Sequence, residues 1–119
     1  MHNFQHSNFH ETQVSRYGND GQLYNYHIDA FANNSREITM VYYFNTDPKE
    51  FTGGEITLTR SPISNGKLMD ESQETITITP ENNMIVIFGS KIAHSVKPTK
   101  SPKDFSKGRF SVNIWIGRR

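Results

Sequence analysis

Apolar and polar residues alternate in short segments along most of the chain, and turns rich in glycine, proline and asparagine separate these segments. This period-two alternation is typical of half-buried β-strands, whereas no segment carries a convincing helical pattern. The predicted strands cover residues 13–17, 24–29, 37–44, 55–60, 74–79, 84–88, 92–97 and 109–116. About eight short strands at regular spacing predict an all-β fold, which is a sandwich, a barrel or a jelly roll.

The chain has 119 residues, the length of one domain, and no internal repeat or linker divides it. We therefore expect a single domain over residues 1–119, in which residues 1–11 form a polar lead-in. His2, His6 and His10 in this segment are spaced by four and would share one face of a helix, where histidines can hold a metal. A short helix without a cap is marginal, so a plain lead-in is the favoured interpretation.

Two further segments are predicted to be loops. Residues 61–72 contain Pro62 and Asn65-Gly66, which indicates a long loop or an extended hairpin tip. Residues 98–108 combine lysines with Pro102 and are predicted to form a solvated loop.

The overall composition excludes several classes of function. Lysine and arginine number 13 against 12 aspartate and glutamate, so no strong field indicates a nucleic-acid or membrane partner. The absence of cysteine excludes disulfides, iron–sulfur clusters, thiolate zinc sites and cysteine nucleophiles, and it fits a reducing compartment. No apolar run approaches membrane-spanning length, and the start of the chain lacks the apolar core of a signal peptide. These features predict a cytoplasmic protein.

His27 and Asp29 are the first residues that indicate a specific chemistry. They lie two apart on a predicted strand, so the imidazole and the carboxylate leave the same face. They would form two-thirds of a 2-His-1-carboxylate triad, which suits non-haem Fe(II) and leaves positions open for other ligands. His94, on a distant predicted strand, is the best candidate for the third ligand. The alternatives are a surface pair for His27 and Asp29 and a core role for His94.

The last predicted strand has two contrasting faces. One face carries Arg109, Ser111, Asn113 and Trp115, and the other carries Phe110, Val112, Ile114 and Ile116. The polar set is natural for the inside of a barrel that holds a ligand. A buried guanidinium implies an anionic partner, because burying it unpaired costs several kcal/mol. A bound carboxylate ligand would serve, and a salt bridge of Arg109 with Asp29 or Glu55 is the alternative.

Several motifs recur in the order of one known family. They are Arg16-Tyr17, Tyr24-x-x-His27-x-Asp29, Arg36 leading Tyr42-Tyr43-Phe44-Asn45, Gly53-Gly54-Glu55-Ile56, His94-x-Val96-x-Pro98, and Gly108-Arg109-Phe110-Ser111 with Trp115. Through them the chain resembles the Fe(II)/2-oxoglutarate-dependent oxygenases over residues 16–116, and within these the prolyl 4-hydroxylase-like branch. The fold implied by the resemblance is a double-stranded β-helix, or jelly roll.

The resemblance also implies a set of site residues and cofactors. The metal ligands fall on His27, Asp29 and His94, and the groups that bind the far carboxylate of 2-oxoglutarate fall on Arg109 and Tyr43. Further residues that fall on the co-substrate pocket are Tyr17, Tyr24, Ile56, Val96, Ser111 and Trp115. Tyr43 could instead be an ordinary core residue. The implied cofactors are Fe(II), 2-oxoglutarate and dioxygen, with ascorbate as an accessory.

The implied activity is that of a dioxygenase. It would couple decarboxylation of 2-oxoglutarate to succinate with hydroxylation of an unactivated C–H bond. A prolyl residue of a peptide or protein is the lead substrate, and a free amino acid or another small molecule is the alternative substrate. Two alternatives are a cupin-like metalloenzyme that does not use 2-oxoglutarate and a non-catalytic jelly-roll binding module.

The sequence departs from the family pattern in two places. Residues 97–107 resemble an insertion before the basic residue, and the helices that usually precede the first strand are absent. Without such helices, one sheet would expose the apolar set Ile38, Met40, Tyr42, Phe44, Phe110, Val112, Ile114 and Ile116. A monomer rarely leaves so apolar a patch in water, which predicts a homodimer or a part of a longer chain.

Overall fold

The computed structural model describes residues 9–18, 21–31 and 35–118. Its strands are β1 (Phe9–Tyr17), β2 (Tyr24–His27), β3 (Arg36–Phe44), β4 (Thr52–Gly53), β5 (Ile56–Thr59), β6 (Ile63–Ser64), β7 (Lys67–Leu68), β8 (Thr75–Ile78), β9 (Met84–Gly89), β10 (Ala93–Val96), β11 (Thr99–Lys100) and β12 (Arg109–Gly117). A single turn of 3₁₀-helix, Phe105–Lys107, precedes β12. In the part of the chain described, no helix is long and apolar enough to cross a membrane.

Two four-stranded antiparallel sheets form the body of the molecule. The first has the order β1-β12-β3-β9 and the second has the order β2-β10-β5-β8. Their eight strands correspond to the eight strands predicted from the sequence. The all-β prediction is therefore confirmed, and the arrangement is the jelly roll, or double-stranded β-helix.

The core lies on the inner face of the first sheet. Val41 and Tyr43 of β3 and Val86 of β9 are buried there. The partly buried side chains packed against them are Leu58, Ile78, Met84 and Phe88. Leu58 and Ile78 belong to the second sheet, so the core joins the two layers.

The central pair of strands, β3 and β12, is antiparallel with Ser111 opposite Tyr43 and Trp115 opposite Thr39. This register turns alternate residues of both strands inward. Arg109, Ser111 and Trp115 are accordingly buried, as the sequence predicted for one face of the last strand.

The outer face of the same two strands is apolar. Its cross-strand pairs are Phe110 with Phe44, Val112 with Tyr42, Ile114 with Met40 and Ile116 with Ile38. These side chains are only partly buried within the chain, and β9 adds the more exposed Ile85 and Ile87. The structure thus confirms which residues share this face.

Strand β1 begins at Phe9, four residues earlier than predicted. It pairs with β12 along its whole length, from Phe9 opposite Gly117 to Tyr17 opposite Arg109. The prediction of a lead-in through residue 11 was therefore wrong for residues 9–11, because pairing with a long neighbour extends the strand. His10 lies in this strand, so the helical alternative fails for it, and His2 and His6 lie outside the described residues.

The two predicted loops carry short strands. Asn65 and Gly66 both have positive φ at the tip of the β6–β7 hairpin, which confirms the extended hairpin. Residues 98–108 are less loop-like than predicted, because β11 pairs with β4 and Thr99 is fully buried. Composition alone could not show this pairing, since β4 and β11 have only two residues each.

Candidate functional site

His27, Asp29 and His94 come together between the two sheets. His27 on β2 and His94 on β10 are opposite each other in the second sheet, and Asp29 follows β2 closely. Asp29 Oδ1 lies 3.6 Å from His27 Nε2 and 3.4 Å from His94 Nε2. One ligand atom from each residue lies within 4.8 Å of the other two, a spacing that could hold a metal ion.

The hydrogen bonds of the two histidines favour metal binding. His27 Nδ1 lies 2.8 Å from the carbonyl of Asn25, and His94 Nδ1 lies 3.0 Å from the carbonyl of Ile92. A carbonyl only accepts, so each Nδ1 carries the proton and each Nε2 presents its lone pair to the site. Burial and the proximity of His94 lower the pKa of His27, which keeps that ring neutral.

Asp29 is oriented by hydrogen bonds to one of its two carboxylate oxygens. Its Oδ2 accepts hydrogen bonds from Trp115 Nε1 at 3.0 Å and from Thr39 Oγ1 at 2.9 Å. Burial alone would raise the pKa of this carboxyl, but His94, Trp115 and Thr39 outweigh it and lower the pKa to about 2. Asp29 is therefore ionised near neutral pH, and its Oδ1 faces the two histidines. Two imidazoles whose Nε2 atoms lie beside one oriented carboxylate are a ligand set that fits a divalent metal.

Two supporting residues of this site were not predicted. Thr39 donates to Asp29 and is also 2.8 Å from Ser90 Oγ, while the carbonyl of Ser90 accepts from the backbone N–H groups of Asp29 and Ala30. The alternation of β3 could have indicated Thr39, since it shares a face with Val41, and a buried hydroxyl needs a partner. Nothing in the local sequence indicates Ser90, which lies in the turn after β9.

Arg109 occupies a separate position in the same cavity, and it is 3% exposed. Its Nε donates to the carbonyl of Gly54 at 2.9 Å, and its Nη2 donates to the hydroxyl of Tyr43 at 3.4 Å. The guanidinium carbon lies 4.7 Å from the ring centre of Tyr17 and 4.8 Å from that of Tyr43. Burial lowers the pKa of Arg109, and the two tyrosines oppose this shift; a guanidinium is so strong a base that the group stays protonated.

The buried charge of Arg109 has no counter-ion among the residues that the structure describes. Within residues 9–18, 21–31 and 35–118, no carboxylate forms an ion pair with Arg109, and its Nη1 makes no hydrogen bond. The alternative of a salt bridge with Asp29 or Glu55 was therefore wrong. Burial raises the pKa of Tyr43, so its hydroxyl is neutral and also leaves the charge uncompensated.

A cavity of about 660 Å³ contains both the histidine–aspartate cluster and Arg109. The other predicted pocket residues line it as well: Tyr17, Tyr24, Tyr43, Ile56, Val96, Ser111 and Trp115. Ser111 donates to Asn113 Oδ1 at 3.1 Å, and Tyr24 stacks on His27 with ring centres 3.8 Å apart. The indole nitrogen of Trp115 is engaged by Asp29, so only its ring is left to face a ligand.

Sequence comparison points to one family. The family model of the 2OG-Fe(II) oxygenase superfamily matches residues 12–117. An uncharacterized PKHD-type hydroxylase of Synechocystis sp. is 40% identical over 104 residues, which cover 85% of this chain and 34% of the relative. The chain thus spans about a third of the length of this relative.

Comparison with solved structures shows the same fold. A prolyl 4-hydroxylase of Pseudomonas putida matches with a TM-score of 0.68 and 23% identity, over 95% of this chain and 54% of that protein. A prolyl hydroxylase of Trichoplax adhaerens, solved with a peptide of the hypoxia inducible factor oxygen degradation domain, matches with a TM-score of 0.67 and 23% identity. That match covers 93% of this chain and 45% of the other.

The first prediction concerns the metal ligands. The double variant His27→Ala/Asp29→Ala removes two of the three proposed ligands and should bind Mn(II) much more weakly than the parent. The loss should exceed the ~10–100-fold that is typical when only a hydrogen-bond partner of a ligand is removed. Anaerobic titration followed by electron paramagnetic resonance measures this loss. His10→Ala removes an exposed histidine of β1 and serves as the control. Mn(II) binding by the double variant as tight as in the parent would place the metal elsewhere.

The second prediction concerns the groups that orient Asp29. Trp115→Phe and Thr39→Val each remove one donor to Oδ2 and should weaken Mn(II) binding by about 10-fold to 100-fold. Tyr42→Phe, which removes a hydroxyl bonded to Asn83 on the outer face, should leave the affinity unchanged. Parent-like affinity in both Trp115→Phe and Thr39→Val would mean that the backbone alone orients the carboxylate.

Proposed function

Because the chain belongs to the 2OG-Fe(II) oxygenase superfamily, we propose that it hydroxylates an unactivated C–H bond with Fe(II) and 2-oxoglutarate. His27, Asp29 and His94 would hold the metal. The single observation that carries the proposal is that this cluster and an unpaired, buried Arg109 line one cavity. Bound Fe(II) would supply the activation of dioxygen that couples decarboxylation of 2-oxoglutarate to oxidation of the substrate.

Arg109 and the tyrosines around it would bind the far carboxylate of 2-oxoglutarate. The free Nη1 can donate to one carboxylate oxygen, and the hydroxyl of Tyr43 lies close enough to Nη2 to join the same carboxylate. The rings of Tyr17 and Tyr43 cover the guanidinium and exclude water, which strengthens its attraction for an anion. The position of Arg109 thereby orients the co-substrate.

The substrate would enter at an apolar rim of the cavity. Leu23, Tyr24 and Phe31 line the cavity and are each about half exposed. Tyr24 also stacks on His27, so an apolar group resting on this ring would lie beside the proposed metal. A prolyl residue of a peptide or protein is the lead substrate, since its ring is compact and apolar. The names of the structural relatives, which are prolyl hydroxylases, support the same choice.

The activity is tested by succinate release from 2-oxoglutarate with Fe(II), using a panel of prolyl peptides and free amino acids. Stimulation by a prolyl peptide, with one oxygen atom added to it by mass spectrometry, is the expected result. Ascorbate, included as the accessory reductant, should prolong turnover. Metal binding without any turnover of 2-oxoglutarate would favour a cupin-like metalloenzyme, and failure to bind metal would favour a binding module. The cytoplasmic location and the single domain over residues 1–119 stay predictions.

The third prediction tests the co-substrate assignment. Arg109→Ala should weaken binding of 2-oxoglutarate to the Mn(II)-loaded protein by about 2–5 kcal/mol, the range for truncating one partner of a buried charged pair. Arg109→Lys should retain part of the affinity, because the charge survives while the planar fork is lost. Mn(II) affinity is the internal control and should barely change. Equal 2-oxoglutarate affinity in the parent and in Arg109→Ala would contradict the assignment.

The fourth prediction concerns the apolar outer face of β3 and β12, where we propose that two copies of this chain associate. Burying apolar surface contributes about 25 cal/mol per Å² to the free energy of association, so burial of several hundred Å² would strongly favour association. A two-fold dimer is the simplest closed arrangement. Ile114→Glu should dissociate the dimer in light scattering across dilution, whereas Ile76→Glu on β8 of the other sheet should not. A parent that is monomeric at high concentration would contradict this proposal.

A further inference from the structure

Arg109 is held in place by a turn of two glycines. Gly53 and Gly54 have φ angles of +77° and +72°, which favour glycine strongly. Gly54 donates its N–H to the carbonyl of Pro98 at 3.2 Å, and its own carbonyl accepts from Arg109 Nε. Gly53 is the last residue of β4, and the pairing of β4 with β11 fixes the position of the turn.

The contact between Gly54 and Arg109 leaves no room for a side chain. A Cβ atom at position 54 would lie 2.5 Å from Arg109 Cδ, 2.9 Å from Arg109 Nε and 2.8 Å from Thr99 Oγ1. Thr99 is completely buried behind this contact, so the backbone at 54 has little space to retreat. The absence of a side chain at Gly54 therefore determines where the stem of Arg109 runs.

The same contact determines which edge of the guanidinium faces the cavity. The rings of Tyr17 and Tyr43 lie against the guanidinium, and Nε is occupied by the carbonyl of Gly54. The remaining donors, Nη1 and part of Nη2, are left for a ligand. Rotation of the group would break the bond to Gly54, so this bond selects one orientation.

We infer that Gly54 is a positioning residue for the 2-oxoglutarate carboxylate: it sets the reach and the orientation of Arg109 through a side-chain-free contact and its carbonyl. The inference rests on the proposed role of Arg109 as the group that binds this carboxylate. It assigns to the Gly53-Gly54 turn a function in co-substrate affinity, beyond that of connecting β4 to β5. The contacts described for Gly54 are with Pro98, Thr99 and Arg109 and not with the metal cluster, so metal binding should be independent of it.

The test compares Gly54→Ala with Gly21→Ala. Gly21 has nearly the same φ, +70°, but a Cβ there would meet nothing within 4 Å, so this control carries the backbone strain without the clash. Dissociation constants for 2-oxoglutarate and for pyruvate, which lacks the far carboxylate, are measured anaerobically on the Mn(II)-loaded proteins. Relative to Gly21→Ala, Gly54→Ala should bind 2-oxoglutarate on the order of 10-fold to 100-fold more weakly. The affinities of the two variants for pyruvate and for Mn(II) should be equal.

A double-variant cycle with Arg109→Ala distinguishes action through Arg109 from general damage. If Gly54 acts through Arg109, the variant Gly54→Ala/Arg109→Ala binds 2-oxoglutarate no more weakly than Arg109→Ala alone. Additive losses, or equal losses for pyruvate and 2-oxoglutarate, would overturn the inference. The inference would also be overturned if Gly54→Ala bound 2-oxoglutarate as tightly as Gly21→Ala does while Arg109→Ala bound it weakly. In that case the proposed function would stand. Unimpaired binding in Arg109→Ala would overturn both.

A further variant covers the case in which Gly54→Ala does not fold, as judged by circular dichroism. Thr99→Ala removes the hydroxyl nearest to the added Cβ and opens space behind the turn. The dissociation constants of Gly54→Ala/Thr99→Ala for 2-oxoglutarate and for pyruvate are then compared with those of Thr99→Ala alone. A selective loss of 2-oxoglutarate affinity supports the inference, and equal affinities overturn it.

Discussion

The pairing of β12 with β3 is the constraint on which both ends of the cavity depend. With Trp115 opposite Thr39, both side chains turn inward and donate to the same oxygen of Asp29. Four pairs further along, the same register brings Tyr43 to the inner face, where it meets Arg109. Side chains alternate with a period of two, so a slip of β12 by one residue would turn Arg109 and Trp115 outward. One strand ladder thus fixes the surroundings of the carboxylate and of the guanidinium together.

The two ends differ in how their charges are satisfied. Asp29 is surrounded by donors that hold its pKa at about 2. Arg109 is also buried, but its hydrogen bonds within the described part of the chain go to a backbone carbonyl and a tyrosine hydroxyl, which leave its charge uncompensated. An isolated buried charge is costly, so a protein that keeps one has a counter-ion for it in the working state. A dianion that chelates a metal with one end and offers a carboxylate at the other is complementary to this cavity.

Residues 98–108, which the composition predicted to be a solvated loop, support the turn that lies beside Arg109. The lysine-rich segment contains Thr99, which is buried, and β11, whose partner β4 carries the double-glycine turn. Lys107 at its end pairs with Glu50 at 2.7 Å, which ties the segment to the loop before β4. This segment therefore packs against the loop and strand that precede β5 and does not merely connect two strands.

The sequence by itself determined the strands, their inner faces and the identity of the cluster. The period of two is a property of the extended backbone, so the shared face of His27 and Asp29, and that of Arg109 and Trp115, could be predicted locally. Only the tertiary structure decided that Thr39 and Ser90 support Asp29 and that Gly54 lies against the stem of Arg109. It also decided that no carboxylate of the described residues pairs with that guanidinium. These contacts join residues that are far apart in sequence, and no local pattern records which distant backbone will lie beside a given side chain. The two-residue strands β4 and β11 could not be predicted from local sequence either, because they exist only through their pairing with each other.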